Sequence, residues 1–531
     1  MEGRSAWRER LDRVLSEVRG NPARAVLAAI LVLAIVLRVS TIGAQSLDHD
    51  ETVTAARILG HSFGRSMHVV FNGERSPPLY YATAWIWSQP FGTGAVALRL
   101  LSAGFGIATV LAAYLAGREL VSKRAGLFGA LLVAVNPYLI WYSQEARSYG
   151  MFVMWSAFGL YMFARSLRRR DRSSVFGWAA MSVLALSTHY FAVFVIAPEA
   201  VLLVALLGPS RRVLGSIAVV GAVGLALVPL ARSQEGTGRT NGFTQYALTA
   251  RAETAIVKYA TVEGPAPQGG ITSTTTGQRQ LGLAAAALVL LAAGIVAVRG
   301  SPLERRGAGI AMGVAAGAFA GPFLLALAGL DLVDPRNMIG ALVPGLVAIG
   351  IGFSVARPRL LGASAAAASL GVFALSLHAV AVQPPLQRHD WQAAVAALPR
   401  PRDATLYVVP ADGRAPLQYY VGSSLPHFEG KAFSDGIATN RVVVMSDTPS
   451  ISGPGPRFTL RKSRTAPQHW TIRVYRAPHA VEIDPSQVAG TRVMAQPSAA
   501  LAFRGGTLRR NEQLVDAREV VGPHAPRSRG A

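Results

Sequence analysis

Leu281–Val298 reads LGLAAAALVLLAAGIVAV, an unbroken apolar run without a single charge. Coiled as a helix it is about 27 Å long, close to the thickness of a bilayer's hydrocarbon core. The run is not isolated. Comparable apolar segments fall at about 25–43, 95–117, 125–143, 149–167, 174–190, 192–208, 212–231, 308–330, 338–356 and 359–381, with a shorter one at 79–91. Over 531 residues, 51% are hydrophobic and only 15% charged, and the mean hydropathy is +0.34. A soluble domain carries about 25% charged residues, so the reading is a polytopic α-helical membrane protein. The segments give about 11 crossings, or up to 13 if 79–117 folds back once more. Residues 79–91 (LYYATAWIWSQPF) are too few for the roughly 20 that a span needs, and read as an interfacial or re-entrant helix.

The formal net charge of +23 points at first to nucleic acid, but its distribution excludes that. Basic residues collect in short loops between apolar blocks: Arg4 to Arg24, Lys123-Arg124, Arg168 to Arg172, Arg211-Arg212, Arg299 to Arg306 and Arg357 to Arg359. This is the positive-inside pattern, with anionic headgroups of the membrane lipids as the partner. With these clusters cytoplasmic, loops 44–94, 144–148, 232–280 and 331–337 face outward, as does everything after 382. Residues 5–19 read as a basic amphipathic helix on the cytoplasmic face. The chain has no Cys, which excludes disulfides and Cys-ligated metals.

Four regions follow: a cytoplasmic amphipathic N-terminus (1–24), a transmembrane part (25–382), a small α/β domain outside the membrane (383–485) and a loosely ordered tail (486–531). The α/β domain begins after Pro384-Pro385 with a helix at Trp391–Leu398. Strands are expected at Thr405–Val409 and Arg441–Met445, with a hairpin of Arg457–Arg461 and Trp470–Tyr475.

Polar residues gather at the outward ends of the spans. Just beyond the first crossing stands Ser46-Leu47-Asp48-His49-Asp50-Glu51, at or near the first turn of a helical run. The plain reading is a helix N-terminus decorated with acids. The chemical one is a carboxylate placed to deprotonate a hydroxyl at the bilayer surface. Arg38, within the first crossing, either snorkels to the interface or pairs with these acids. Asn72 to Tyr80 (NGERSPPLY) returns the chain to the membrane, and Arg99 opens the next span in ALRLLS. Tyr142 to Tyr149 (YSQEARSY) sets Gln144, Glu145 and Arg147 between two spans, where charge is expensive unless paired or used. Glu145 and Arg147 are one structural pair that would explain it. Thr188-His189-Tyr190 and Asp334-Pro335-Arg336-Asn337 close the set. His49 with its neighbouring acids is the one group that suggests a divalent ion, but adjacent helical positions converge poorly. No metal or other cofactor is read from the sequence.

In this order, the motifs resemble the bacterial branch of the family 39 glycosyltransferases, over roughly residues 25–395. They are Asp50-Glu51, Pro77-Pro78-Leu79-Tyr80, Ala97 to Ser102, Ser143 to Tyr149, Thr188 to Tyr190, Arg336 with Pro344, and Asp390-Trp391. These are membrane enzymes of the GT-C fold, related to protein O-mannosyltransferases and to the aminoarabinose transferase of lipid A. The resemblance implies inverting transfer of a hexosyl or pentosyl group from a polyprenyl-phosphate sugar to a protein, lipid or glycan on the outer face of the cytoplasmic membrane. It makes Asp50 the base, with Glu51 beside it. It assigns Asp48, Arg75, Arg99, Gln144, Glu145, Arg147, His189, Tyr190 and Arg336 to donor phosphate and substrate. The aminoarabinose branch has a Lys directly before its Pro-Pro, where this chain has Ser76. A carrier lipid calls for a groove between helices, which Gly/Ala-rich spans such as 308–330 can supply. The competing class is a transporter or flippase, whose ionisable groups would sit nearer the midplane.

Overall fold

The computed structural model describes residues 21–235, 246–262, 274–355, 359–383, 386–399, 405–410, 416, 419–420, 437–446, 453–466, 470–483 and 500–505. The amphipathic helix expected at 5–19 and Pro384-Pro385 lie outside the described residues, as does the tail expected from 486 apart from 500–505. The chain divides into two units. One comprises residues up to 44 together with 61–387; the other joins 45–60 to the residues from 388 onward.

The first unit is helical. Helix α1 (Pro22–Val39) starts at an Asn21 cap with Pro at its first position, a combination that suits the free N–H groups there. The short α2 (His49–Thr52) and a π-helical run at Val53–Ile58 belong to the other unit. Then follow α3 (Phe63–Gly73), α4 (Leu79–Phe91), α5 (Ala95–Leu120), α6 (Lys123–Val135), α7 (Pro137–Ser143), α8 (Tyr149–Arg169) and α9 (Arg172–Thr188). A 3₁₀ turn at Tyr190–Ala192 leads into α10 (Val193–Leu207), and α11 (Arg211–Glu235), α12 (Leu248–Ala260), α13 (Thr276–Arg299) and α14 (Pro302–Leu327) come next. A 3₁₀ run at Pro335–Ala341 enters α15 (Leu342–Val355), and α16 (Arg359–Val382) completes the unit.

Among the described residues, eight helices are long and apolar enough to cross a membrane, and the bent pair α6 and α7 makes a ninth. The segments expected at 149–167 and 174–190 are α8 and α9, of 21 and 17 residues. All eleven apolar segments are therefore helical. The crossing expected at 125–143 is broken at Asn136-Pro137 and bent by 62°, because Pro137 has no N–H for the preceding turn. Residues 79–91 form the short α4, as their length requires.

Burial sorts the spans. The span Pro335–Val355 is 83% buried, against 17% for α1 and α11. It crosses α6 at two glycines: a Cβ on Gly350 would lie 2.5 Å from the Gly129 nitrogen. Peripheral helices expose Leu225, Leu283, Leu290 and Val298, as lipid-facing surfaces do.

The loops assigned to one side of the membrane bond to one another. Arg147 of 144–148 pairs with Glu74 of 44–94, and Gln234 donates to the Val70 carbonyl at 3.0 Å. Arg251 of 232–280 pairs with Asp331 at 2.6 Å. At the opposite end Arg168 meets Glu119, and Arg212 donates to the Arg170 carbonyl. Within the helical unit, these contacts each join loops that the Arg and Lys clusters assign to the same side.

The second unit contains α17 (Trp391–Ala396) and the strands β1 (Thr405–Pro410), β2 (Ile437–Ser446), β3 (Thr459–Thr465), β4 (Thr471–Ile483) and β5 (Ala500–Gly505). The sheet order is β3-β4-β2-β1-β5, with only β1 and β2 parallel. The Trp391 of α17 packs on Trp470 and shares one buried cluster with Ile472, Val443 and Met445. The expected helix, strands and hairpin are all present. Two boundaries move: residues 45–60 group with this unit rather than with the transmembrane part, and Ala500–Gly505, read as tail, is a strand paired with β1.

Candidate active site

In the helical unit, polar side chains cluster at the end where α7, α8, α9 and α11 meet the loops. Helix α7 stops at Ser143, and the turn 144–148 carries Arg147 out before α8 begins at Tyr149. The Arg147 Nη1 donates to Glu74 Oε2 at 3.0 Å, and the Tyr81 hydroxyl donates to the same oxygen at 2.9 Å. Both charged side chains are largely buried, 11% and 5% exposed, so each needs the other. The Arg147 guanidinium also lies 5.9 Å from the Tyr81 ring centre.

An aromatic file flanks this pair. Tyr138, Tyr142, Tyr149 and His189 follow one another with ring centres 4.8–5.5 Å apart. His189 stacks on Phe152 at 4.9 Å, and its Nδ1 accepts the Phe191 N–H. That bond places the neutral ring's proton on Nε2. His189 sits in the turn between α9 and the span that opens at Tyr190. Burial, with the Arg147 and Arg336 guanidiniums close by, pushes its imidazole down to about 3. The ring is therefore a neutral hydrogen-bonding group at physiological pH. Tyr190 donates its hydroxyl to Gln234, fixing the end of α11. Asp334 caps its 3₁₀ run by accepting the Arg336 N–H, and its other oxygen accepts from Arg336 Nε at 2.9 Å. The Arg336 side chain stays 37% exposed. The Arg251 hydrogen bond holds the Asp331 carboxyl below its usual range.

Two expected site residues, Arg99 and Gln144, bond to the backbone at and just beyond the end of α1, and Arg38 bonds to that of α6. Arg99 is fully buried and donates to the Ile42 carbonyl at 3.1 Å. Gln144 donates to the Arg38 carbonyl, in the last turn of α1, and to Thr41 Oγ1 just beyond it. Arg38 is buried and does not snorkel. It donates to the Val133 and Ala134 carbonyls, freed by the break at Pro137, and to Ser143. Arg147, expected as a structural partner of Glu145, has its described ion pair with Glu74. Arg75 is half-buried beside that pair. Glu74 was not among the candidates.

The acidic turn belongs to the second unit. Asp48 is the N-cap of α2, and Glu51 Oε2 accepts the Asp48 N–H at 3.1 Å, forming a capping box. Glu51 is completely buried, 3.8 Å from Arg388 Nε. The turn is the acid-decorated helix N-terminus: Asp48 and Glu51 build it, and Asp50 is half-buried on it. Among the described residues no three His or acidic side chains converge on a metal site.

The helical unit also holds an apolar cavity of about 340 Å³ between α6, α12, α13, α14, α15 and α16. Its walls include Met312, Ala316, Phe319, Gly345 and Val372, with Asn136 and Tyr259 among its few polar lining residues.

Residues 75–232 match the family model of dolichyl-phosphate-mannose-protein mannosyltransferase. No curated protein matches the chain. Among solved structures, ArnT from Cupriavidus metallidurans in the apo state shares 10% identity, covering 86% of this chain and 98% of that one, with a TM-score of 0.55. The same protein bound to undecaprenyl phosphate gives 14%, 84%, 97% and 0.50. An Archaeoglobus fulgidus oligosaccharyltransferase tethered with an acceptor peptide gives 14%, 76%, 64% and 0.43, so the chain spans a little under two thirds of that enzyme. The chain is a polytopic membrane protein with the GT-C fold that ArnT has.

Proposed function

We propose that the chain transfers a sugar from a polyprenyl-phosphate carrier to a hydroxyl acceptor, with inversion, on the extracytoplasmic side of the cytoplasmic membrane. The observation that carries this reading is the apolar cavity of about 340 Å³ inside the spans. Its size is that of a ligand pocket, and its lining suits an isoprenoid tail rather than a sugar. A protein of the same fold has been solved with undecaprenyl phosphate, which supports the choice of carrier. Arg147 and Arg336 supply positive charge for the departing phosphate. The neutral His189 offers an Nε2–H donor. Asp50 takes the acceptor's proton as the anomeric carbon is attacked from the face opposite the phosphate. The acceptor oxygen gains the sugar, Asp50 the proton, and the carrier leaves as its phosphate.

The test is a reconstitution of the full chain in liposomes with a panel of radiolabelled polyprenyl-phosphate sugars and membrane extract as acceptor. The reading expects one donor to be consumed, with free polyprenyl phosphate released in step with labelled product. Movement of a donor across the bilayer without any release of phosphate would favour a flippase and overturn it.

A further inference from the structure

Helix α2 and the π-helical run that continues it, His49–Ile58, make one short helix, and a helix of that length is marginal on its own. What holds it is visible within the second unit. The Ser46 hydroxyl donates to the His389 carbonyl at 2.7 Å and accepts the Trp391 N–H at 3.0 Å. The Arg388 N–H donates to Gln45 Oε1 at 3.0 Å, and the Leu47 N–H donates to the Tyr420 hydroxyl at 2.6 Å. Two short segments, 45–47 and 388–391, are thus stitched together across more than 340 positions of chain. The second segment is itself anchored. Asp390 caps α17 by accepting the Ala393 N–H, and Trp391 packs on Trp470 with ring centres 4.6 Å apart.

The charge pair completes the arrangement. Glu51 is 0% exposed and the Arg388 side chain 4%, and their facing atoms lie 3.8 Å apart. A carboxylate so buried requires a cation. The same Glu51 oxygen closes the capping box with Asp48, so Arg388 fixes both ends of the turn that carries Asp50. We propose that Arg388 is a positioning residue. Through Glu51 it holds Asp50 in the attitude for proton abstraction, and the C-terminal unit serves as the holder of the base. This rests on the assignment of Asp50 as the base. It gives the C-terminal unit a function in the reaction, and it moves Glu51 from chemistry to support. Displacing a reacting group by about 1 Å costs about 100-fold in rate, which sets the scale of the effect.

The experiment uses the full chain in nanodiscs, with two readouts on wild type, Arg388→Gln and Arg388→Lys. Hydrogen exchange is followed at the amides of 46–56, and transfer kinetics are measured with the donor that the wild type consumes. Expected for Arg388→Gln are faster exchange at 46–56 with the spans unchanged, kcat lower by about 10- to 100-fold, and donor KM within about twofold. Arg388→Lys, which keeps the charge, recovers the larger part of both. Ser46→Ala, which removes two of the stitching bonds, serves if Arg388→Gln fails to fold, and its exchange and kcat should shift the same way. Unchanged exchange in a folded variant overturns the proposal, and so does faster exchange with full kcat. If the wild type consumes no donor, the assignment of function falls. Exchange then still decides the clamp: faster exchange sustains the holding of the turn, and unchanged exchange removes that as well.

Discussion

Truncating Glu74 to Ala strips Arg147 of its buried partner and the Tyr81 hydroxyl of its acceptor in one step. Both charged side chains are nearly out of solvent, and their contact is 3.0 Å. An uncompensated buried charge of this kind costs about 3–5 kcal/mol. Arg147→Ala leaves the Glu74 carboxylate with the Tyr81 hydroxyl as its remaining described donor, and should cost a similar amount. Each single variant thus keeps one buried charge of a broken ion pair, and the double variant keeps neither. The double variant should therefore lose much less than the sum, with a coupling of about 2 kcal/mol or more. Reversible unfolding of the purified protein in mixed micelles, titrated with denaturing detergent, gives the four free energies of the cycle. Losses that add within about 0.5 kcal/mol would refute the claim that these side chains depend on each other.

Three further outcomes are expected. His189, neutral when folded down to about 3 and titrating near 6.5 when unfolded, binds fewer protons in the native state across that window. Its contribution is full above the unfolded value and fades as pH falls through the window, so stability should rise with pH there; His189→Gln should flatten that slope in detergent melts. Gly350→Val forces a side chain against the Gly129 backbone and should destabilise by about 1–3 kcal/mol, read from the same unfolding titration. Ala316→Trp fills the apolar cavity and should raise KM for long-chain polyprenyl donors while sparing a short-chain analogue, as measured by initial rates.

The parts of this protein written in local sequence were legible. Apolar runs marked every span, and the Arg and Lys clusters sorted the loops into two groups that bond among themselves. Short strand-like runs marked β1, β2 and the β3–β4 hairpin. What sequence did not show depends on contacts between distant positions. Glu74 reads as a loop residue, because its partner Arg147 lies 73 residues away. Nor does sequence show that Arg99 and Gln144 donate to the Ile42 and Arg38 carbonyls, more than 50 residues away. Arg38 likewise answers the break at Pro137, a demand that the Asn-Pro pair announces without naming who meets it. The attachment of the acidic turn to Arg388–Trp391 has no local signature at all.

Asp50→Asn is the most direct test of the central claim, since it keeps the side chain's size and removes its basicity. Transfer from the wild type's own donor is measured alongside hydrogen exchange of the acidic turn. The account predicts exchange like wild type and a rate lower by about 100- to 10,000-fold, the range of a lost general base. A correctly folded Asp50→Asn protein that transfers sugar within about twofold of wild type would contradict it.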